Sequence, residues 1–293
     1  MNKDDIVTPF IIEDLHIKGR IVQLGPELDS IITRHNYPEA VSHLLAQMIA
    51  LTALIGSSLK MEGKFSIQTT SNGAVNLLVC NFITPHNLRA YARYNMPELT
   101  KQLKNSPATL AQLLGQGSLA FTMETGHHTK LYQGIVELSG NDLAQLAEQY
   151  YISSEQISTK IKLTSHFSTQ TGWRAGGLFL QYLPHKGADP EKNEWNEANI
   201  LAQTLSDEEL LDKEIGAHRL LFRLFHEHEI RVFNEQFLQD KCSCSREKIS
   251  EMLQGFDAKA LEEMVIDNKI TVQCQFCSQN YDFQLAEIST PES

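Results

Sequence analysis

Lys241-Cys242-Ser243-Cys244-Ser245-Arg246 and, after an interval of 29 residues between Cys244 and the next cysteine, Cys274-Gln275-Phe276-Cys277 decide how the C-terminal part of this chain folds. Two tight pairs of cysteines, separated by enough chain to fold back, can close a tetrahedral four-thiolate zinc site. The same four sulfurs can also pair as two short disulfides. The spacing is strong evidence for a metal and weak evidence for switching. A structural zinc, a reversible redox switch and an iron–sulfur centre all remain open at this point.

The surroundings of the two pairs read as a small domain over residues 241–293. Ser245 caps a helix carrying Ile249, Met252 and Leu253, and Gly255 ends it. Asp257 caps a second helix with Leu261, Met264 and Val265. Lys269 to Gln275 and Tyr281 to Leu285 alternate as the strands of a hairpin, which places Cys274 and Cys277 at its tip. A core of roughly 50 residues rarely folds without a staple. One zinc ion per chain on Cys242, Cys244, Cys274 and Cys277 is the expected staple, and its loss should unfold the segment.

Residues 185–240 read as a helical, metastable linker. It opens at Pro184-His185-Lys186-Gly187-Ala188-Asp189-Pro190, a run of turn residues. Glu194 to Leu205 is a helix candidate, Ser206-Asp207-Glu208-Glu209 is a capping box, and Ala217 to Phe225 is a third, more apolar helix. Isolated helices of this length are marginal in water, so they must dock on a neighbour.

Residues 1–184 read as a mixed α/β domain, which makes the whole chain α+β. Pro38 to Lys60 has the spacing of a buried helix, through Val41, Leu44, Leu45, Met48, Leu51 and Leu54. Strands are expected at 65–69, 74–79, 118–124, 131–138, 159–165 and 177–183, with a turn at His127-His128. A helix is expected over Asn141 to Tyr151, with Asn141 as its cap. Gly115-x-Gly117 and Gly176-Gly177 read as turn glycines, because no GxGxxG or Walker pattern surrounds them. Cys80, in Leu77-Leu78-Val79-Cys80, reads as a buried core thiol. His226 and His228 read as surface or capping groups.

The net charge of −11 is unevenly placed. Residues 1–184 carry 14 basic and 14 acidic side chains, 185–240 carry 6 and 13, and 241–293 carry 5 and 9. The excess acid therefore lies in the C-terminal third, which argues against nucleic acid as a partner, since phosphate contact needs a basic face. No apolar run reaches the roughly 20 residues that span a bilayer, and Met1-Asn2-Lys3-Asp4-Asp5 lacks a signal-peptide core. The expectation is a cytoplasmic protein with reduced thiols and no membrane partner. No Ser-His-Asp, paired-carboxylate or HExxH arrangement rises above chance, so no enzymatic role is expected.

Several stretches together resemble a known family, the redox-regulated bacterial chaperone heat shock protein 33. They are Phe225-His226-Glu227 ahead of the two cysteine pairs, Tyr91-Ala92-Arg93, Tyr132-Gln133-Gly134-Ile135-Val136, Ser154-Glu155-Gln156 and Ala175-Gly176-Gly177-Leu178-Phe179-Leu180-Gln181. The resemblance runs over nearly the whole length. It implies a reduced, zinc-loaded, inactive form. Oxidation would join Cys242 to Cys244 and Cys274 to Cys277, release zinc, unfold residues 241–293 and destabilise the linker. The exposed apolar surface would then hold unfolding client proteins without ATP, and the chain would form a homodimer.

A reading from another class is a zinc-ribbon nucleic-acid binder with a purely structural zinc, which the acidic balance of residues 241–293 opposes. A zinc hydrolase is opposed by four cysteine ligands, which leave no open position for water.

Overall fold

The computed structural model describes residues 4–59, 62–104, 109–125, 130–183 and 193–288. The fold is α+β, in two units, Met1–Asp240 and Lys241–Ser293. The first unit opens with β1 (Ile6–Ile12), β2 (Ile17–Leu24), α1 (Pro26–Thr33) and α2 (Glu39–Gly56). It continues through β3 (Gly63–Ser71), β4 (Val75–Ile83), β5 (Asn87–Tyr94), α3 (Met96–Gln102), α4 (Leu110–Leu114), β6 (Gly117–Thr125) and β7 (Lys130–Glu137). Then follow α5 (Leu143–Tyr150), a π turn at Tyr151–Glu155, β8 (Thr159–Ser168) and β9 (Gly172–Tyr182). It closes with α6 (Asn193–Gln203), α7 (Asp207–Leu211), α8 (Ala217–Phe225), β10 (Ile230–Val232), β11 (Gln236–Phe237) and β12 (Gln239–Asp240).

These strands form two sheets. One runs β10-β1-β2-β9-β8, with β11 also on β1; the other runs β12-β5-β4-β3-β6-β7. Helix α2 packs against strands of both. Its sequence is apolar on every side, as a helix between two sheets requires. Among the described residues α2 alone is long and apolar enough to cross a membrane, and most of it is buried inside this core. Cys80 lies in the same core, where burial pushes its thiol pKa up.

The first sheet is buried on both faces. Val7, Val22, Ala175 and Phe179 face α2, while Phe10, Ile17, Ile21, Leu178 and Leu180 belong to a second core with α6, α7 and α8. Strand β9 is accordingly a continuous buried run. Helix α8 supplies Leu220, Leu221, Leu224 and Phe225 to this second core, and its opposite face leaves Phe222 exposed. The three helices read as marginal on their own are thus docked on the outer face of the sheet. The expected capping box is present: Ser206 Oγ accepts from Glu209 N at 3.2 Å, and Glu209 Oε2 accepts from Ser206 N at 3.0 Å.

Several expectations change. Gly176 and Gly177 are not turn glycines but lie in mid-strand in β9, one toward each face. A Cβ on Gly176 would stand 2.6 Å from Leu210 Cγ, and one on Gly177 would stand 2.7 Å from Leu54 Cδ1. Both elements approach too closely for a side chain. Helix α5 is capped one residue later than expected, by Asp142, whose Oδ1 accepts from Gln145 N at 2.8 Å; Asn141 instead donates its N–H to Gln145 Oε1 at 2.7 Å. Helix α2 ends at Gly56 rather than Lys60. Strands β1, β2, β5 and β10 to β12 were absent from the expected set. Pro9 within β1 hides its strand character, yet its carbonyl accepts from Phe233 N at 2.9 Å, where the chain passes from β10 to β11. The His127-His128 turn and the 184–190 boundary lie outside the described residues.

The second unit holds α9 (Arg246–Gln254), α10 (Ala258–Glu263), β13 (Ile270–Gln273), β14 (Asn280–Phe283) and a four-residue helix α11 (Leu285–Ile288). Ser245 and Asp257 cap α9 and α10 as expected, and Gly255 ends α9. The strands pair antiparallel from Ile270↔Phe283 to Gln273↔Asn280. The third helix is an addition to the expected two helices and hairpin.

Candidate metal centre

The apolar core of the second unit is small. Among the described residues it comprises buried Ile249, Leu253, Leu261, Ile270, Phe283 and Ile288, with Val265, Val272, Tyr281 and Leu285 partly buried around it. Such a cluster is thin cover for a folded unit.

The four cysteines meet at one end of the hairpin. Cys274 follows β13, and the turn closes through Cys274 N donating to Gln279 O at 2.9 Å and Ser278 N donating to Cys274 O at 2.8 Å. Ser278 takes φ 58°, which turns the chain sharply after Cys277. Cys242 and Cys244 come from the segment ahead of α9. The Ser245 cap ends that segment, and Lys248 Nζ holds it by donating to Ser243 O at 2.9 Å.

All four sulfurs lie within 4.8 Å of one another. The shortest separations are 3.4 Å for Cys244–Cys277 and 3.7 Å for Cys242–Cys274. Four thiolates at about 2.3 Å from a tetrahedral centre stand about 3.8 Å apart, so this set has the size of a metal site. Each short contact joins one cysteine from each pair, as one centre shared by both halves requires. The residues present could therefore hold a metal ion.

Electrostatics agree with that chemistry. Burial, ahead of any other cause, raises the Cys244 thiol pKa and pushes that of Cys277 up to about 12, with the neighbouring sulfurs adding to the latter. Four thiolates packed this closely repel one another, and a divalent cation is what makes the deprotonated set stable. Tyr281, on β14, was not singled out in the sequence. Its Oη lies 3.2 Å from Cys244 Sγ, and that contact raises the phenol pKa. Its only signal was its place in the alternation of β14.

Behind the site, Arg246 ties helix and hairpin together. It donates to Asp282 O at 2.7 Å and to Glu287 Oε2 at 2.8 Å, and its guanidinium lies 4.4 Å over the Phe283 ring. The two histidines stand apart from this chemistry. His226 is the C-cap of α8, and His228 Nδ1 is 2.6 Å from Asp14 Oδ2.

The chain was compared with known proteins. The family model described as Hsp33 protein matches residues 5–284. A 33 kDa chaperonin of Caulobacter vibrioides is 38% identical over 284 residues, covering 95% of this chain and 94% of the relative. Those of Ectopseudomonas mendocina and Shewanella loihica are each 34% identical, covering 98% and 97% of this chain and 94% of each relative. The crystal structure of the 33 kDa chaperonin (heat shock protein 33 homolog) from Thermotoga maritima superposes with a TM-score of 0.84 at 23% identity, over 97% of this chain and 96% of that one. By fold, by cysteine cluster and by these relatives, the chain belongs to the Hsp33 family of chaperones.

Proposed function

We propose that this protein is a redox-regulated, ATP-independent holdase of the cytoplasm, with zinc as the metal held by Cys242, Cys244, Cys274 and Cys277. The observation that carries the reading is the four-sulfur cluster in a unit whose core is too thin to stand without a staple. Zinc suits an all-thiolate tetrahedral set, and a fully ligated ion holds structure rather than catalysing hydrolysis.

Oxidation acts on the thiolates that the metal maintains. A thiolate sulfur attacks a peroxide, the O–O bond breaks, and a sulfenic acid and hydroxide result. A neighbouring thiolate then displaces the sulfenic hydroxide, which takes up a proton and leaves as water, forming a disulfide and removing two ligands. Cys242 with Cys244 and Cys274 with Cys277 are the proposed pairs, each close in sequence. Closing both bonds leaves zinc no ligand and residues 241–293 no staple.

The apolar outer face of the first sheet, with Phe10, Ile12, Ile17, Ile21, Leu178 and Leu180, is the proposed client surface, and residues 185–240 are its metastable cover. Helices α6, α7 and α8 are short and held by docking, α6 and α7 acidic and α8 basic on its exposed side, so undocking exposes that face and their own apolar sides together. Unfolding proteins bind there without nucleotide, and the active form is a homodimer.

The test couples two readouts on one sample. Reduced, zinc-loaded protein is treated with peroxide at mildly elevated temperature. Zinc release is followed with a chromogenic chelator and aggregation of a heat-denatured client by light scattering. The expected result is joint onset of zinc release and suppression of aggregation, reversed by dithiothreitol. Zinc that stays bound, or leaves without a gain of activity, would make the cysteines a constitutive staple and overturn the reading.

A further inference from the structure

Arg20 is a cation without a counter-ion. It lies in β2 between Lys18 and Val22, and these alternate residues share the face of the first sheet that turns toward α2. Its Nε is buried and has no hydrogen-bond partner. Among the described residues no carboxylate pairs with it, and the titrating group beside it is the Tyr151 phenol. Burial pushes the pKa of that phenol up, so it stays neutral and supplies no charge. Buried charges are as a rule paired, and leaving one unpaired is costly.

Tyr151 also lines a cavity of about 210 Å³ between the two sheets. Lys18 of β2 and Gln181 of β9 line it from the first sheet, and Phe65 of β3 and Phe121 of β6 from the second. The Tyr151 ring packs edge-on against Phe179 at 5.5 Å, and Phe179 is the register partner of Arg20 across β2 and β9. Arg20 and the cavity therefore meet at the Tyr151 ring. The carboxylate in the cavity wall, Glu155, is already engaged. Its Oε1 accepts from Tyr132 Oη at 2.8 Å and from Tyr150 Oη at 2.7 Å.

This combination selects a ligand by its chemistry. A guanidinium fork matches a carboxylate with two parallel hydrogen bonds. Walls of phenylalanine, tyrosine and aliphatic side chains suit an apolar body. An apolar cavity of roughly 150 Å³ admits benzene, so the volume here suits one ring carrying one carboxylate. A doubly charged anion would set its second charge against Glu155.

We propose that this cavity binds a small aromatic monocarboxylic acid, its carboxylate on the Arg20 guanidinium and its ring against Phe65 and Phe121. The site lies on the inner face of the first sheet, away from the outer face assigned to clients, and it stands independently of that assignment.

The experiment is titration calorimetry of the full, reduced, zinc-loaded chain with benzoate in chloride-free buffer, together with urea unfolding with and without benzoate. Benzyl alcohol and phenyl phosphate are the comparison ligands. Benzoate is expected to bind saturably and to raise the urea midpoint, with both comparison ligands weaker by about tenfold or more. Arg20→Gln should remove the benzoate shift. Without ligand it should be at least as stable as wild type, because it removes an unpaired charge. Ile157→Trp, which fills the cavity from its wall, should abolish benzoate binding, and circular dichroism checks that both variants are folded. Benzoate that fails to bind wild type, or that still binds Ile157→Trp, overturns the site. Equal binding of benzyl alcohol, or benzoate binding unchanged in Arg20→Gln, overturns the carboxylate contact. Tighter binding of phenyl phosphate overturns the choice of a monoanion. A marked loss of stability in unliganded Arg20→Gln would show that Arg20 has a partner within the chain, which overturns the premise.

Discussion

The side-chain amide of Gln23 in β2 donates to the carbonyl of Ile215 at 2.9 Å and to that of Leu210 at 3.2 Å. Gln23 is 4% exposed, so a single buried amide pins the α7 region onto the first sheet. Among the described residues, no other buried polar side chain reaches from β2 into the cover. Among the described residues, Arg174 joins it from β9, donating its Nε to Leu211 O at 2.7 Å and pairing with Asp4. Helices α6 to α8 of the cover are thus held by apolar docking plus a few directed bonds, an arrangement that can open as a piece, whereas β10 to β12 are paired into the sheets.

Replacing Gln23 with Met keeps the volume and removes the donor. The Leu210 and Ile215 carbonyls then lose their partner, at a cost of about 1–3 kcal/mol. Amide hydrogen exchange across residues 207–216 should quicken by roughly ten- to a hundredfold. Binding of an apolar dye to the reduced protein should rise. Unchanged exchange in that segment would show that Gln23 does not hold the cover.

The glycine pair in β9 separates the two cores. Gly176→Ala places a methyl against Leu210 Cγ and the Leu210 carbonyl, 2.6 and 2.9 Å away. Gly177→Ala places one against Leu54 of α2, 2.7 Å away. Overpacking of this kind costs about 1–3 kcal/mol, but where it falls differs. Gly176→Ala should push α7 outward and raise aggregation suppression without oxidant, while the urea midpoint of the remaining core changes little. Gly177→Ala should lower that midpoint and leave unoxidised activity at the wild-type level. The same response from both variants would mean that the two faces are not energetically separate.

Local chemistry explains which parts of this structure are legible in sequence. The cysteine pairs, the Ser206, Ser245 and Asp257 caps and the apolar run of α2 each carry their signal within a few residues. Gly177 opens the expected 177–183 strand, but Gly176 carries no local mark of being a strand residue, and nothing local shows that the strand continues back to Gly172. The role of the glycine pair comes from Leu210 and Leu54, which pack against it from distant parts of the chain. Gln23 reads as an ordinary polar residue until its partners, 187 and 192 residues away, are known. Pro9 argues locally against a strand, and only the passage from β10 to β11 beside it makes the strand possible. Tyr281 was visible only as part of a hairpin, because contact with Cys244 depends on the turn between β13 and β14.

Tyr281 bears on the metal site without being one of its four sulfurs. Outer groups that touch a ligand typically change metal affinity by about 10–100-fold when removed. Tyr281→Phe deletes the hydroxyl 3.2 Å from Cys244 Sγ and keeps the ring that packs on the small core. Zinc affinity, measured by chelator competition, should fall within that range while the metal-loaded unit stays folded. Cys80→Ser, by contrast, should leave zinc affinity and oxidative activation intact, since Cys80 is buried in the other unit. An unchanged affinity for Tyr281→Phe would make its contact with Cys244 incidental.

Asp5 gives the first unit an acid-side stability signature. Its carboxylate accepts from Gly25 N at 3.0 Å and Glu27 N at 3.2 Å at the start of α1, and its own carbonyl accepts from Leu238 N at 2.7 Å. Burial raises its pKa to about 6, against 3.8 for a free carboxyl, and outweighs the two backbone hydrogen bonds that lower it. The folded chain therefore holds the Asp5 proton more tightly than the unfolded chain. Between pH 3.8 and about 6 the native state binds more protons, so this group's contribution is present at low pH and is lost as pH rises through that window. The difference is on the order of 3 kcal/mol. Asp5→Asn cannot ionise and should remove that slope. The gap between the urea unfolding free energies of wild type and variant should therefore change across pH 4 to 6.5 in the direction that penalises wild type at the upper end. A constant gap across the window would mean that the Asp5 carboxyl titrates alike in the folded and unfolded chain.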